Sequence, residues 1–181
     1  MSTNTTKVPS SWSTWLANNA NNRYQITSTV YDLPGPGIIS PWLIQNPSTL
    51  RNRVSFSTIT PGQKGSAPVY GTYYNYDIAG NVSALLQDYS ATSPMGTNGQ
   101  EYKRVDYNYD LISGKVNSVA YQSGKPDAFM HFYQYDAENR LTDVYSSADS
   151  VTVEHEAHYV YYKHGPLDNG RFKNVPPSDK K

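Results

Sequence analysis

The chain has 181 residues, with 15 basic and 15 acidic side chains that cancel to no formal net charge. That balance gives no electrostatic case for nucleic acid or an anionic membrane as a partner. Cysteine is absent, which excludes disulfides and thiolate metal sites, and no apolar run approaches the ~18–20 residues of a membrane helix.

From the N-terminus, residues 1–22 are polar, rich in Ser, Thr and Asn, and have no hydrophobic signal core. Trp12, Trp15 and Leu16 suggest a short docking helix within them. Residues 23–69 hold two predicted strands, Tyr24–Tyr31 and Arg53–Thr60, punctuated by Pro34-Gly35-Pro36-Gly37 and Pro61-Gly62. Residues 70–168 carry a repeat array, and residues 169–181 read as a disordered tail.

The array rests on a tyrosine phrase met four times: Tyr74-Asn75-Tyr76-Asp77, Tyr107-Asn108-Tyr109-Asp110, Tyr133-Gln134-Tyr135-Asp136 and Tyr159-Val160-Tyr161-Tyr162. The second tyrosines are 33, 26 and 26 residues apart. Self-similarity at such a period signals stacked units, none of which buries its apolar face alone. Residues of one face alternate with a period of two, as in Phe129, His131, Tyr133 and Tyr135. That alternation predicts strand rather than helix.

A turn and a second strand follow each phrase. In Asp77-Ile78-Ala79-Gly80 the Asp opens a type I turn and the Gly closes it. The carboxylate is placed to accept backbone N–H groups, and Gly tolerates positive φ. Asp136 and Asn139 repeat this logic with Asn in the Gly slot. Asp110 to Gly114 is one residue longer and predicts a bulge or wider loop. In the fourth copy Tyr162 replaces Asp, so the turn before Gly165 loses its side-chain acceptor. The expected fold is mainly β: antiparallel hairpins side by side, with Tyr76, Tyr109, Tyr135 and Tyr161 in one column and Val82, Val116, Leu141 and Leu167 in another. Tyr135→Ala is expected to destabilise far more than Tyr70→Ala.

These motifs, from Tyr-x-Tyr-Asp-x-x-Gly-Asn-Val at residue 74 to His164-Gly165-Pro166-Leu167, resemble the RHS (rearrangement hot spot) or YD-repeat family over about residues 70–168. Thr29-Val30-Tyr31-Asp32 and Leu50-Arg51-Asn52-Arg53-Val54 look like degenerate earlier units. The resemblance implies a scaffold. Members of the family are large bacterial wall-associated or secreted toxin proteins whose repeats form a sheet spiralling into a shell around a toxin domain. The expected partners are therefore neighbouring repeats or a toxin domain of a longer parent chain, with the parent secreted or at the cell surface. This chain, with few repeats and no toxin domain, reads as a fragment. Its open strand edges predict self-association.

Several residues invite a chemical reading. His155, Glu156 and His158 are spaced one residue short of a helical zinc motif. On a regular strand His155 and His158 would face opposite sides, which argues against a shared metal. His131 reads as a packing residue on the tyrosine face, and His164 as a solvated turn residue. Asp77, Asp110 and Asp136 are better spent on their own turns than on calcium, which needs six to eight converging oxygens. Gly62-Gln63-Lys64-Gly65-Ser66 fails the phosphate-loop spacing. The sequence thus assigns no catalytic, cofactor-binding or metal residues, and the expected role is non-catalytic. The alternatives are a surface module binding glycan or protein through exposed tyrosines, and a hydrolase using His155 or His158, for which no partner residues stand out.

Overall fold

Each Tyr-Asp phrase ends a strand, and the residue after the Gly or Asn slot is followed at once by the next strand. The computed structural model describes residues 14–15, 19, 25–39, 42–62, 67–92, 94–165 and 167–172. Ten strands run in chain order: β1 (Ile26–Tyr31), β2 (Val54–Thr60), β3 (Tyr70–Tyr76), β4 (Val82–Asp88), β5 (Tyr102–Tyr109), β6 (Val116–Tyr121), β7 (Phe129–Tyr135), β8 (Leu141–Ser147), β9 (Glu154–Tyr161) and β10 (Leu167–Phe172). They form one antiparallel sheet in which sequence order is spatial order. The fold is mainly β, built of hairpins side by side, as the alternation predicts.

The register repeats from hairpin to hairpin. Tyr76 pairs with Val82, Tyr109 with Val116, Tyr135 with Leu141 and Tyr161 with Leu167. In each case the register slips one residue beyond that pair, leaving Ser83, Asn117, Thr142 and Asp168 as the extra residue. A bulge of this kind bends the strand and raises its twist. The bulge expected for the longer Asp110 turn is therefore common to all the hairpins. What distinguishes that turn is its width: Gly114 N–H reaches the Asp110 carbonyl four residues back, whereas Gly80 and Asn139 reach Asp77 and Asp136 three back.

The two degenerate segments before residue 70 are the two strands of a single further hairpin. Tyr31 pairs with Val54 and the register slips at Ser55. Asp32 N–H donates to the Arg53 carbonyl, as Asp77 N–H donates to Asn81 and Asp136 N–H to Arg140. Asn52 occupies the left-handed slot at φ 58°. The difference lies in the connection: residues 33–51 stand where other units have a tight turn.

That long connection folds back over the sheet and makes the core. Ile39 and Leu43 pack with Tyr73, Ala84 and Leu86, flanked by Trp42, Phe56 and Tyr102. The Trp42 and Tyr102 rings stack at 4.9 Å, and Phe56 on Tyr73 at 5.3 Å. Gln45, 9 % exposed, pins the connection where the β2–β3 ladder stops. Its amide donates to the Ser55 and Tyr74 carbonyls at 2.8 and 2.7 Å, and its oxygen accepts from Gly35 N–H at 2.6 Å. Two carbonyls that lost ladder partners are thus satisfied by one side chain.

Three expectations are modified. The first strand begins at Ile26 and the second at Val54. Strand β10 continues to Phe172, past residue 169 where a disordered tail was expected. Trp15 is 59 % exposed; Trp12, Leu16 and Gln63–Ser66 lie outside the described residues. No helix among the described residues is long and apolar enough to cross a membrane.

Candidate functional site

The repeat tyrosines read from the sequence lie at the junctions between hairpins. The Tyr76 hydroxyl donates to the Val54 carbonyl at 2.7 Å, Tyr109 to Val82 at 3.0 Å, Tyr135 to Val116 at 2.9 Å and Tyr161 to Leu141 at 2.7 Å. In every case the acceptor is the first residue of the preceding hairpin's last strand. The valine and tyrosine columns are therefore one device: a ring laid across the strand gap, with its hydroxyl closing on backbone. Partial burial raises the Tyr76, Tyr109 and Tyr135 phenols above their ordinary value, so they stay protonated donors at neutral pH.

Arginines reinforce two junctions. The Arg53 guanidinium lies 5.5 Å from the Tyr76 ring centre, and that of Arg140 lies 4.9 Å from Tyr161. Each sits at the turn end of one hairpin and covers the latch tyrosine of the next, a contact favoured by the ring quadrupole.

The turn aspartates serve their own backbone. Asp77 accepts from Gly80 and Asn81 N–H at 2.7 and 2.8 Å, Asp110 from Ile112 and Ser113 N–H at 3.1 and 2.6 Å, and Asp136 from Glu138 and Arg140 N–H at 3.0 and 2.8 Å. Burial pushes the Asp77 carboxyl up, but bonds from Asn81 and Gly80 outweigh it and hold the group below its usual range. The Ser113 N–H and hydroxyl do the same for Asp110. At Asp136 the Arg140 N–H and guanidinium overcome the burial effect. Gly80, Gly114, Asn139 and Gly165 all take left-handed φ, between 62° and 106°. In the fourth turn the Gly165 N–H donates to the Tyr162 carbonyl at 3.0 Å, while the Tyr162 phenol bonds Asp168.

The two histidines expected on opposite sides of a strand share one face. Strand β9 carries a bulge of its own: Ala157 pairs with Val144 but His155, not Glu156, pairs with Tyr145. The extra residue, Glu156, accepts from the Ser146 hydroxyl at 2.6 Å. The slip turns His155 to the side of His158, and both rings meet Asp143 on β8. One Asp143 oxygen lies 2.9 Å from His155 Nε2 and 2.7 Å from His158 Nδ1. Burial pushes the Asp143 carboxyl up, yet the bonds from His158, Thr142 and His155 hold it below its usual range. The Tyr145 ring stacks on His155 at 4.7 Å. His131 lies between Phe129 and Tyr133 in ring contact with both, as a packing residue does, and His164 is exposed in a turn.

A groove of about 700 Å³ opens between the turns of β5–β6 and β7–β8 and is lined by Tyr133, Tyr135, Asp110 and Asp136 among others. Compared with protein-family models and with curated proteins, the chain matches none.

Proposed function

We propose that this chain is a non-catalytic structural repeat segment of the RHS type, a stretch of wall that encloses or presents a cargo domain lying outside it. The observation that supports this most is the latch: four tyrosine hydroxyls at equivalent positions, each closing one hairpin onto the carbonyl of the hairpin before it. Such a device has no defined end. It adds identical units edge to edge, and among the described residues β1 and β10 each pair on one side only. The natural partners of those edges are further repeats or a second copy of the chain.

The experiment is to duplicate the 26-residue unit 129–154 in place and to follow urea melting and light scattering. A wall accepts the insertion with equal or higher stability, because each unit adds a nearest-neighbour interface. Its free edges also make the parent chain associate as concentration rises. A duplicated chain that melts early, from a parent that stays monomeric, would mean a closed module instead.

A second reading has one observation in its favour. The groove places Tyr133 and Tyr135 beside the Asp110 and Asp136 carboxylates, aromatic and polar groups together, as carbohydrate recognition requires. Quenching of tyrosine fluorescence by oligosaccharides, lost in Tyr133→Ala, would support that reading over a bare wall.

A further inference from the structure

We propose that Asp143, His155 and His158 form a divalent transition-metal site, of the zinc class, that clamps β9 onto β8. The three side chains each offer one ligand atom, and those atoms all lie within 4.8 Å of one another. Two imidazole nitrogens with one carboxylate oxygen are donors that zinc accepts in tetrahedral sites, with a water or other ligand completing the set. Magnesium and calcium prefer oxygen-only sets, so this cluster selects against them.

The geometry is close to the bound one. Two ligands held about 2.0 Å from a tetrahedral zinc stand roughly 3.3 Å apart. The present Asp143–His155 and Asp143–His158 separations are 2.9 and 2.7 Å. An ion entering between them binds the two ring nitrogens that face Asp143, each imidazole carrying its proton on the other nitrogen, and widens the two Asp143–His separations by a few tenths of an ångström. The side chains have room for that: the imidazoles are 48 % and 45 % exposed, against 15 % for the carboxylate between them. The ligands also come from two paired strands, so the ion is a cross-strand staple.

The bulge gives the arrangement its second support. A regular β9 would put His155 and His158 on opposite faces; the extra residue at Glu156 brings them together. Tyr145 stacks on the His155 ring and fixes its plane, and Thr142 hydrogen-bonds the Asp143 carboxyl as an outer partner. The staple sits next to the hairpin whose turn lacks the aspartate acceptor, where Tyr162 stands in the Asp slot. This site is independent of the wall reading, and either stands if the other fails.

The test uses the full chain, stripped with chelator and titrated with Co²⁺ and Zn²⁺ by absorbance and calorimetry. The site is expected to bind one Co²⁺ per chain with visible ligand-field bands, to release it to Zn²⁺, and to melt higher with Zn²⁺ but not Mg²⁺. In His158→Gln and Asp143→Asn the Zn²⁺ affinity should fall at least tenfold and the metal-dependent rise in melting temperature should vanish. His131→Gln, a substitution on a ring that lies outside the cluster, should leave both unchanged. No stoichiometric binding, or binding of equal strength in His158→Gln, would overturn the assignment. Because the binding readout does not require the melting temperature of the variants to be preserved, a destabilised but folded variant still decides the matter.

Discussion

The Tyr135 hydroxyl reaches the Val116 carbonyl at 2.9 Å, from the last position of one hairpin's first strand to the first position of its neighbour's last strand. The ring that spans this distance is half-buried, so the contact joins apolar cover to a polar closure. Removing only the hydroxyl in Tyr135→Phe leaves a carbonyl short of a partner and should cost about 1 kcal/mol. Tyr135→Ala also removes the ring and should cost about 2–3 kcal/mol, less than for a fully buried aromatic. Urea melts of both, with Ile78→Ala (93 % exposed) as the neutral control, check the order. Tyr70 is a poor control: its ring meets Tyr89 at 5.1 Å and its hydroxyl accepts from Thr72 and Gln87. The contrast between Tyr135 and Tyr70 expected from the sequence should therefore shrink.

Gly80 and Gly114 occupy the same left-handed slot, at φ 98° and 68°, but in different surroundings. A Cβ at Gly114 meets nothing, whereas one at Gly80 meets the Arg53 guanidinium. Gly114→Ala should then cost the backbone strain alone, about 1–2 kcal/mol. Gly80→Ala should cost more, because Arg53 must leave the Tyr76 ring to make room. Asn139→Gly should be close to neutral, since both residue types accept positive φ. Equal losses at Gly80 and Gly114 would show that the Arg53–Tyr76 contact contributes nothing.

The turn carboxylates set the response to acid. Asp149, between β8 and β9, accepts N–H bonds from Thr152 and Val151 and is lowered to about 2. Asp77, Asp110 and Asp136 are lowered as well. A carboxyl whose folded pKa lies below its unfolded value of about 3.9 stabilises the fold above that value. The stabilisation disappears as pH falls through the folded pKa. The urea midpoint should therefore hold to about pH 5 and drop between about pH 5 and 2. In Asp149→Asn the drop should be smaller, because one titrating group has been removed. A midpoint that fell mainly between pH 7 and 5 would point away from the aspartates.

Much of the sheet was legible because its register is written in residue types. Tyrosine, aspartate, glycine and valine recur at fixed offsets, and each offset is a physical demand: a ring across a strand gap, an acceptor for a turn, a left-handed backbone, an apolar partner. The first hairpin escaped because residues 33–51 separate Tyr31-Asp32 from Asn52-Arg53-Val54, so its two halves read as two units. The His155–His158 face was misread for a different reason. A bulge changes the side on which a residue lies without changing composition, and Glu156 carries no mark of being the extra residue. The buried role of Gln45 was equally hidden, since a polar residue between Ile44 and Asn46 looks like loop.

Gln45 supplies the last test. It lies within the connection that covers the core, and its amide satisfies the Ser55 and Tyr74 carbonyls where the β2–β3 ladder ends. Gln45→Leu fills a similar volume but leaves both carbonyls and the Gly35 N–H without their partner. Unsatisfied buried polar groups cost about 1–3 kcal/mol each, so a loss of about 3 kcal/mol is expected, larger than for the exposed Ile44→Ala. Hydrogen exchange separates two consequences. If Gln45 holds the connection to the sheet, amides of residues 35–50 should lose protection together while those of β7 and β8 keep it. Uniform loss across all strands would instead make the covered end the foundation on which the whole array stands.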